Sequence, residues 1–292
     1  MKNKILPFII VIIFIVIAVL IYFNKDSIIN SVNEAQKPAP QPHYTKELEI
    51  VGEKLDIDSD LVKDLYSIVE VYNFGIEEVN FHRDSKVTID DLNNNFKLLA
   101  IFNECFIKGL NTNITESQGW GDISLKNAKS VEKEIFGDNA NVTYKDLLGY
   151  TMEFKFKNNK KYETEINQKT GGMNPNVNDY MEVVAASKDG DTIYIYDKFV
   201  RTTGLSVDPN EPDVGVYATS DKKIVIDEKI TQDDLIEIVK KYDQLDSGGE
   251  TPENYELLGL KDKYDDQILT YKHTFKKSDD GTYYWVSSEP IK

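Results

Sequence analysis

Ser130-Val-Glu-Lys133 places a hydroxyl and an amine three residues apart, and Lys169-Thr170-Gly171 adds a second basic site. In acyl-transfer chemistry a serine in such a pattern attacks a carbonyl, while basic residues activate it and hold the substrate. The two motifs lie only 36 residues apart, with no Ser-Asp-Asn element between them. A four-residue pattern with two fixed positions also arises readily by chance. The expectation is a helix cap at Ser130, a loop turn at Lys169, and no catalytic residue.

The acids are equally unspecific. Asp56, Asp58, Asp60 and Asp64 begin like a calcium loop. Leu61 stands where such a loop needs glycine, and Ser67 where it needs glutamate. Helix capping explains these acids better, so no metal and no cofactor is expected. A glycosidase pair of carboxylates stays open, because spacing in sequence does not give separation in space. His43 falls in a proline-rich stretch, and His82 in a polar loop beside Arg83 and Asp84. His273 alternates with Tyr271 and Phe275, the setting of a satisfied core or edge residue rather than a base. The chain has no His-Glu-x-x-His, no Gly-x-Ser-x-Gly and no phosphate loop.

The two tryptophans suggest binding instead. Trp120 lies between two glycines, where an indole can stack on a sugar or peptide or plug the core. Trp285 lies in a hairpin around Ser-Asp-Asp-Gly. With two or four loop residues, Tyr271, His273, Phe275, Tyr284 and Val286 share one face of that hairpin. Lys272, Thr274, Lys276, Tyr283 and Trp285 share the other. The first face is the more apolar and is assigned to the core. The second, lysines mixed with aromatics, has the composition of a recognition surface. The alternative is that the helix predicted over Thr88–Leu110 covers this second face and buries Trp285.

Helices and then strands must position these groups. Asp58 or Ser59 caps a helix with apolar Leu61, Val62, Leu65, Val69 and Tyr72. Thr88 and Asp91 form a capping box before Ile89, Leu92, Phe96, Leu99, Phe102, Phe106 and Leu110. Cys105, the only cysteine, lies beside that stripe and reads as a buried thiol. A third helix ends at Phe136, with Gly137 as its cap. After Tyr150 the period changes to two. Hairpins are predicted around Asn158-Asn159, Lys188–Asp191, Asp221 and Ser278–Gly281. A helix opens at Thr231, while stretches near Gly171-Gly172 and Asp208–Asp213 read as loops. The fold class is α+β: helices packed on a mostly antiparallel sheet, after an N-terminal transmembrane helix.

That transmembrane helix rests on Ile5 to Phe23, 19 residues without a charge, of which sixteen are Ile, Leu, Phe or Val. As a helix they would span roughly 28 Å, close to the ~30 Å hydrocarbon core. The run is longer than a signal-peptide core, and no small-residue cleavage site follows it. Lys2 and Lys4 before it put residues 1–4 in the cytoplasm and the rest outside. Residues 24–46, with Pro38, Pro40 and Pro42, read as an extended stalk. Five lysines against two acids give residues 1–46 a charge of +3, so with −16 for the whole chain the remaining 246 carry −19. Such a domain does not seek nucleic acid. It spans 47–292, as one body or as a helical lobe 47–148 and a sheet lobe 149–292.

VEKEIFGDNANVTYKD, VVAASKDGDTIYIYDKF and YKHTFKKSDDGTYYWVSSE resemble segments of uncharacterised single-pass membrane proteins of low-GC Gram-positive bacteria. That family has no established activity, so the resemblance implies location and little else. The order of helices before a sheet ending in Asp-Gly-x-Tyr-Tyr-Trp is similar to NTF2-like domains, although the helix at Thr231–Tyr242 departs from that pattern. Serine and lysine motifs like those above also occur in penicillin-binding proteins and β-lactamases, which space them differently. The function expected is a non-enzymatic envelope module. Its partners would be the lipid bilayer, through Ile5 to Phe23, and an envelope protein, glycan or small ligand. The candidate ligand-binding residues are Trp120, Lys272, Lys276, Tyr283 and Trp285. The alternative is a cell-wall hydrolase acting through carboxylates or through Ser130 and Lys133.

Overall fold

The structure, a computed structural model, describes residues 48–71, 81–114, 120–149, 152–167, 169, 177–203, 214–243 and 255–291. The span, the stalk with His43, Tyr72 and the two predicted loops lie outside them. The chain divides into two compact units, Met1–Pro42 and His43–Lys292. Among the described residues no helix is long and apolar enough to cross a membrane.

The second unit is α+β with antiparallel pairing throughout its described ladders. In chain order it contains β1 (Glu53–Lys54), α1 (Asp60–Ser67), β2 (Val87–Thr88), α2 (Asn94–Ile107), β3 (Asn111–Thr112), β4 (Asp122–Ser124) and α3 (Leu125–Phe136). Then come β5 (Leu147–Leu148), β6 (Met152–Lys157), β7 (Lys161–Ile166), β8 (Val177–Asp189), β9 (Thr192–Thr203), β10 (Val214–Tyr217) and β11 (Val225–Ile230). The last elements are α4 (Gln232–Asp243), α5 (Tyr255–Lys263), β12 (Leu269–Lys277) and β13 (Tyr283–Ile291).

The strands form two sheets where one was expected. The larger runs β1-β8-β9-β12-β13-β2, with β10 also on β9 and β11 on β10. The smaller runs β3-β4-β7-β6-β5. Helix α2 packs on the small sheet directly and is linked to the large one through Phe81. Phe102 packs on Phe154 and Tyr162 of the small sheet, with ring centroids 4.8 and 4.5 Å apart. Phe96 packs on Phe81, which packs on Trp285 of the large sheet. Every residue from Phe96 to Cys105 is consequently buried, not one stripe of them. A second core lies at the other end of the large sheet, where Leu235 of α4 and Leu260 of α5 meet Val200, Val214 and Val216.

Local signals explain most boundaries. Ser59 caps α1 by accepting from the Val62 amide, and Asp56 braces the preceding turn through the Asp58 amide. Leu61, expected on the apolar stripe, is instead 42% exposed, and Tyr66 takes the buried place. The Thr88–Asp91 box forms, but it closes a 3-10 turn at Ile89–Asp91, and Asn93 caps α2. Gly137 ends α3 at φ 71°. Asn158 and Asn159 both take positive φ between β6 and β7, as the hairpin demands.

The C-terminal hairpin corrects the predicted facing. Lys277 pairs with Tyr283, so five residues, Ser278 to Thr282, close the loop. An odd loop sets Phe275 opposite Trp285, and the two share the buried face. A bulge then leaves Val286 out of the ladder, because Thr274 pairs with Ser287. Tyr271, His273 and Phe275 face the core as expected. Tyr284 and Val286 do not, while Trp285 does.

Candidate functional site

Among the described residues, a surface cleft and a buried polar cluster gather candidate functional side chains.

The cleft, of about 560 Å³, lies between the C-terminal half of α3 and the β12–β13 hairpin. It brings together Ser130, Lys133, Lys276, Asp280 and Tyr284, with Trp285 in its floor. Ser130 is an exposed mid-helix residue, not a cap, since Ser124 caps α3. Its lysine neighbour is not poised as a base. Lys133 Nζ pairs with Asp138 at 3.1 Å, and that hydrogen bond and charge raise its pKa, so the amine stays protonated. Lys169 is exposed, and Thr170 and Gly171 lie outside the described residues. Asp280 accepts from the Ser278 and Thr282 hydroxyls and the Thr282 amide, which hold its pKa down at about 2. The backbone at Gly137 lies against the half-buried Tyr284 ring, where a Cβ would come within 3.1 Å of it.

The other predicted binding residues scatter. Trp120 is half-buried and packs on Phe106 at 4.6 Å, an aromatic plug over the core. Trp285 is 1% exposed and cannot stack on a ligand. Lys272 pairs with Glu289 at 2.6 Å and lies 5.8 Å from the Tyr194 ring centroid, on the face opposite the core. Tyr283 lies under Lys188. Only Lys276, with the floor of Trp285, belongs to the cleft. Cys105 is fully buried, and burial pushes its thiol pKa up to about 12, as an inert core thiol requires.

The buried cluster was not anticipated. Asp197 faces inward on β9, among the alternating Ile193, Ile195 and Phe199. On neighbouring β12, His273 is two positions from Tyr271, the residue opposite Asp197. His273 Nε2 lies 2.9 Å from Asp197 Oδ1, and His82 Nε2 2.8 Å from Oδ2. The Tyr66 hydroxyl of α1 donates to Oδ2 at 2.6 Å. Asp197, His82 and His273 are each 0% exposed. His82 does lie in a loop, but a buried one: Phe199 stacks flat on its ring at 4.3 Å, and the Ser220 amide and hydroxyl both donate to its carbonyl. No pattern in sequence could have joined residues 115 and 76 positions apart from Asp197; the only signal was an acid at an inward position of an apolar strand.

The network continues outward. His273 Nδ1 lies 2.6 Å from Ser288 Oγ, which accepts from the Trp285 indole N–H at 3.0 Å. Burial pushes the Asp197 pKa up, but the imidazoles of His82 and His273 outweigh it and hold the carboxyl ionised. Burial also pushes the His273 pKa down, more than Asp197 raises it. Ser288, His273 and Asp197 thus mimic a serine–histidine–aspartate array. Ser288 is 0% exposed and its Oγ already accepts a hydrogen bond from the Trp285 indole N–H, so no substrate carbonyl can reach it.

Comparison with protein-family models, with characterised proteins and with solved structures finds no match to this chain.

Proposed function

We propose that this chain is a membrane-tethered, non-enzymatic binding module of the cell envelope that takes a glycan in the α3–hairpin cleft. The uncharged run Ile5 to Phe23, the lysines before it and the proline stalk after it support the tether and the orientation. The cleft carries the reading. Its rim mixes charges of both signs with the hydroxyls of Ser130, Ser278 and Thr282, around a half-buried Tyr284 ring. A sugar offers hydroxyls to such a rim and a flat C–H face to a ring. The hydrolase reading also has an observation in its favour, because Ser130 and Lys133 line this same cleft. Lys133 is not that reading's base, since its pairing with Asp138 favours the charged amine.

Two measurements test the proposal. Protease added to wall-stripped cells should degrade residues 47–292 before the membrane is broken; survival of the domain reverses the orientation. Soluble cell-wall glycan fragments should shift amide resonances around Tyr284 and Lys276. Lys276→Ala, at an exposed position, and Tyr284→Ala, at a half-buried one, should each weaken binding at least about tenfold, the effect of losing roughly 1.4 kcal/mol. Equal binding by these variants removes the cleft from the proposal. A stable β-lactam adduct at Ser130 would turn the reading to a hydrolase.

A further inference from the structure

His82, Asp197 and His273 come from three separate segments, yet their candidate ligand atoms all lie within 4.8 Å of one another. We propose that they form, with Tyr66, a closed structural site for a divalent zinc-class cation. Two imidazoles, a carboxylate and a phenol in a dry core are expensive to desolvate, and a hydrophobic set of equal volume is often as stable. A cation that all four groups contact repays that expense.

The donor set suits zinc. Two imidazole nitrogens and one carboxylate oxygen are three zinc donors; the phenol oxygen fills the fourth position once the cation displaces, to solvent, the proton it now donates to Asp197. Four protein donors leave no open position, as a structural rather than a catalytic site requires. Zinc ligands stand about 2.0–2.2 Å from the metal, which puts neighbouring donors roughly 3.3–3.5 Å apart. His82 and Tyr66 approach Asp197 Oδ2 at 2.8 and 2.6 Å and His273 approaches Oδ1 at 2.9 Å, so these contacts must open by well under an ångström. The ligand atoms of His82, Asp197 and His273 spread over no more than 4.8 Å, so the widest pair must close by no more than about 1.5 Å. The supporting shell is already built. A cation on His273 Nε2 requires the ring proton on Nδ1, which then donates to Ser288 Oγ at 2.6 Å. The other lone pair of that oxygen takes the Trp285 indole proton. Phe199 fixes the His82 ring by stacking, and Tyr271 packs edge-on against it at 4.8 Å.

No member of the set is exposed, so loading belongs to folding. The full chain, unfolded in urea with chelator, would be refolded with and without Zn2+ or Co2+. The expected result is stoichiometric zinc after desalting. The melting temperature should rise by about 5–10 °C at free Zn2+ one hundred times the dissociation constant. Cobalt should give the intense visible bands of a tetrahedral N/O site, which many surface acids binding weakly as octahedral sites do not give. Asp197→Asn should abolish the bands; if that variant does not fold, the wild-type cobalt spectrum still decides. Absence of tetrahedral bands, with a melting temperature indifferent to Zn2+ and chelator, overturns the proposal and leaves a metal-free hydrogen-bonded core.

Discussion

Asp197→Ala is expected to destabilise the metal-free protein by about 3–5 kcal/mol, the usual result of removing one partner from a buried charged set. The carboxylate accepts from Tyr66 at 2.6 Å and bonds His82 and His273 at 2.8 and 2.9 Å. Without it three polar groups of α1, the His82 segment and β12 face one another in a cavity, none able to reach water. Urea denaturation in chelator measures the loss. Tyr66→Phe removes one donor and should cost less, about 1.5–3 kcal/mol. In the double variant the costs should not add, because the phenol has lost its acceptor already. A loss below about 1 kcal/mol in Asp197→Ala, or strict additivity, would mean that the carboxylate is hydrated and the cluster is not a unit.

Trp285→Ala is expected to cost about 3–5 kcal/mol, as truncation of a buried large aromatic does. Its ring is 1% exposed, 4.6 Å from Phe81 and 6.1 Å from Phe136. The change also removes the indole N–H that fixes Ser288 behind His273. Iodide gives an independent check. In Trp120→Phe, where Trp285 alone emits, quenching should be weak; emission from half-buried Trp120 in the parent adds the quenchable part. Strong quenching of Trp285 would put it back on the outer face and undo the five-residue loop register.

That register shows where sequence reasoning stops. The alternation of Tyr271, His273 and Phe275 is a property of one strand, and it was legible. Which β13 residues join them depends on the parity of the loop. Ser278, Asp280 and Thr282 hydrogen-bond across the turn and hold five residues in it, not two or four. One residue of difference turns the whole strand end over. The bulge at Val286 turns it again, which brings Ser288 back beneath His273.

By itself the sequence determined the α+β class, a cap at Asp58 or Ser59, the cap at Gly137, the hairpins at Asn158-Asn159 and Gly190, and the buried cysteine. These follow from backbone preferences and periodicities that act within a few residues. Tertiary structure alone decided the rest. It split the strands into two sheets and sank α2 between them, which a stripe of seven apolar residues could not foretell. It drew Ser130, Lys276 and Trp285 to one cleft from opposite ends of the domain. It also closed His82, Asp197 and His273 into one cluster. Those contacts depend on strand order and loop parity, and neither leaves a local mark on the residues that finally meet.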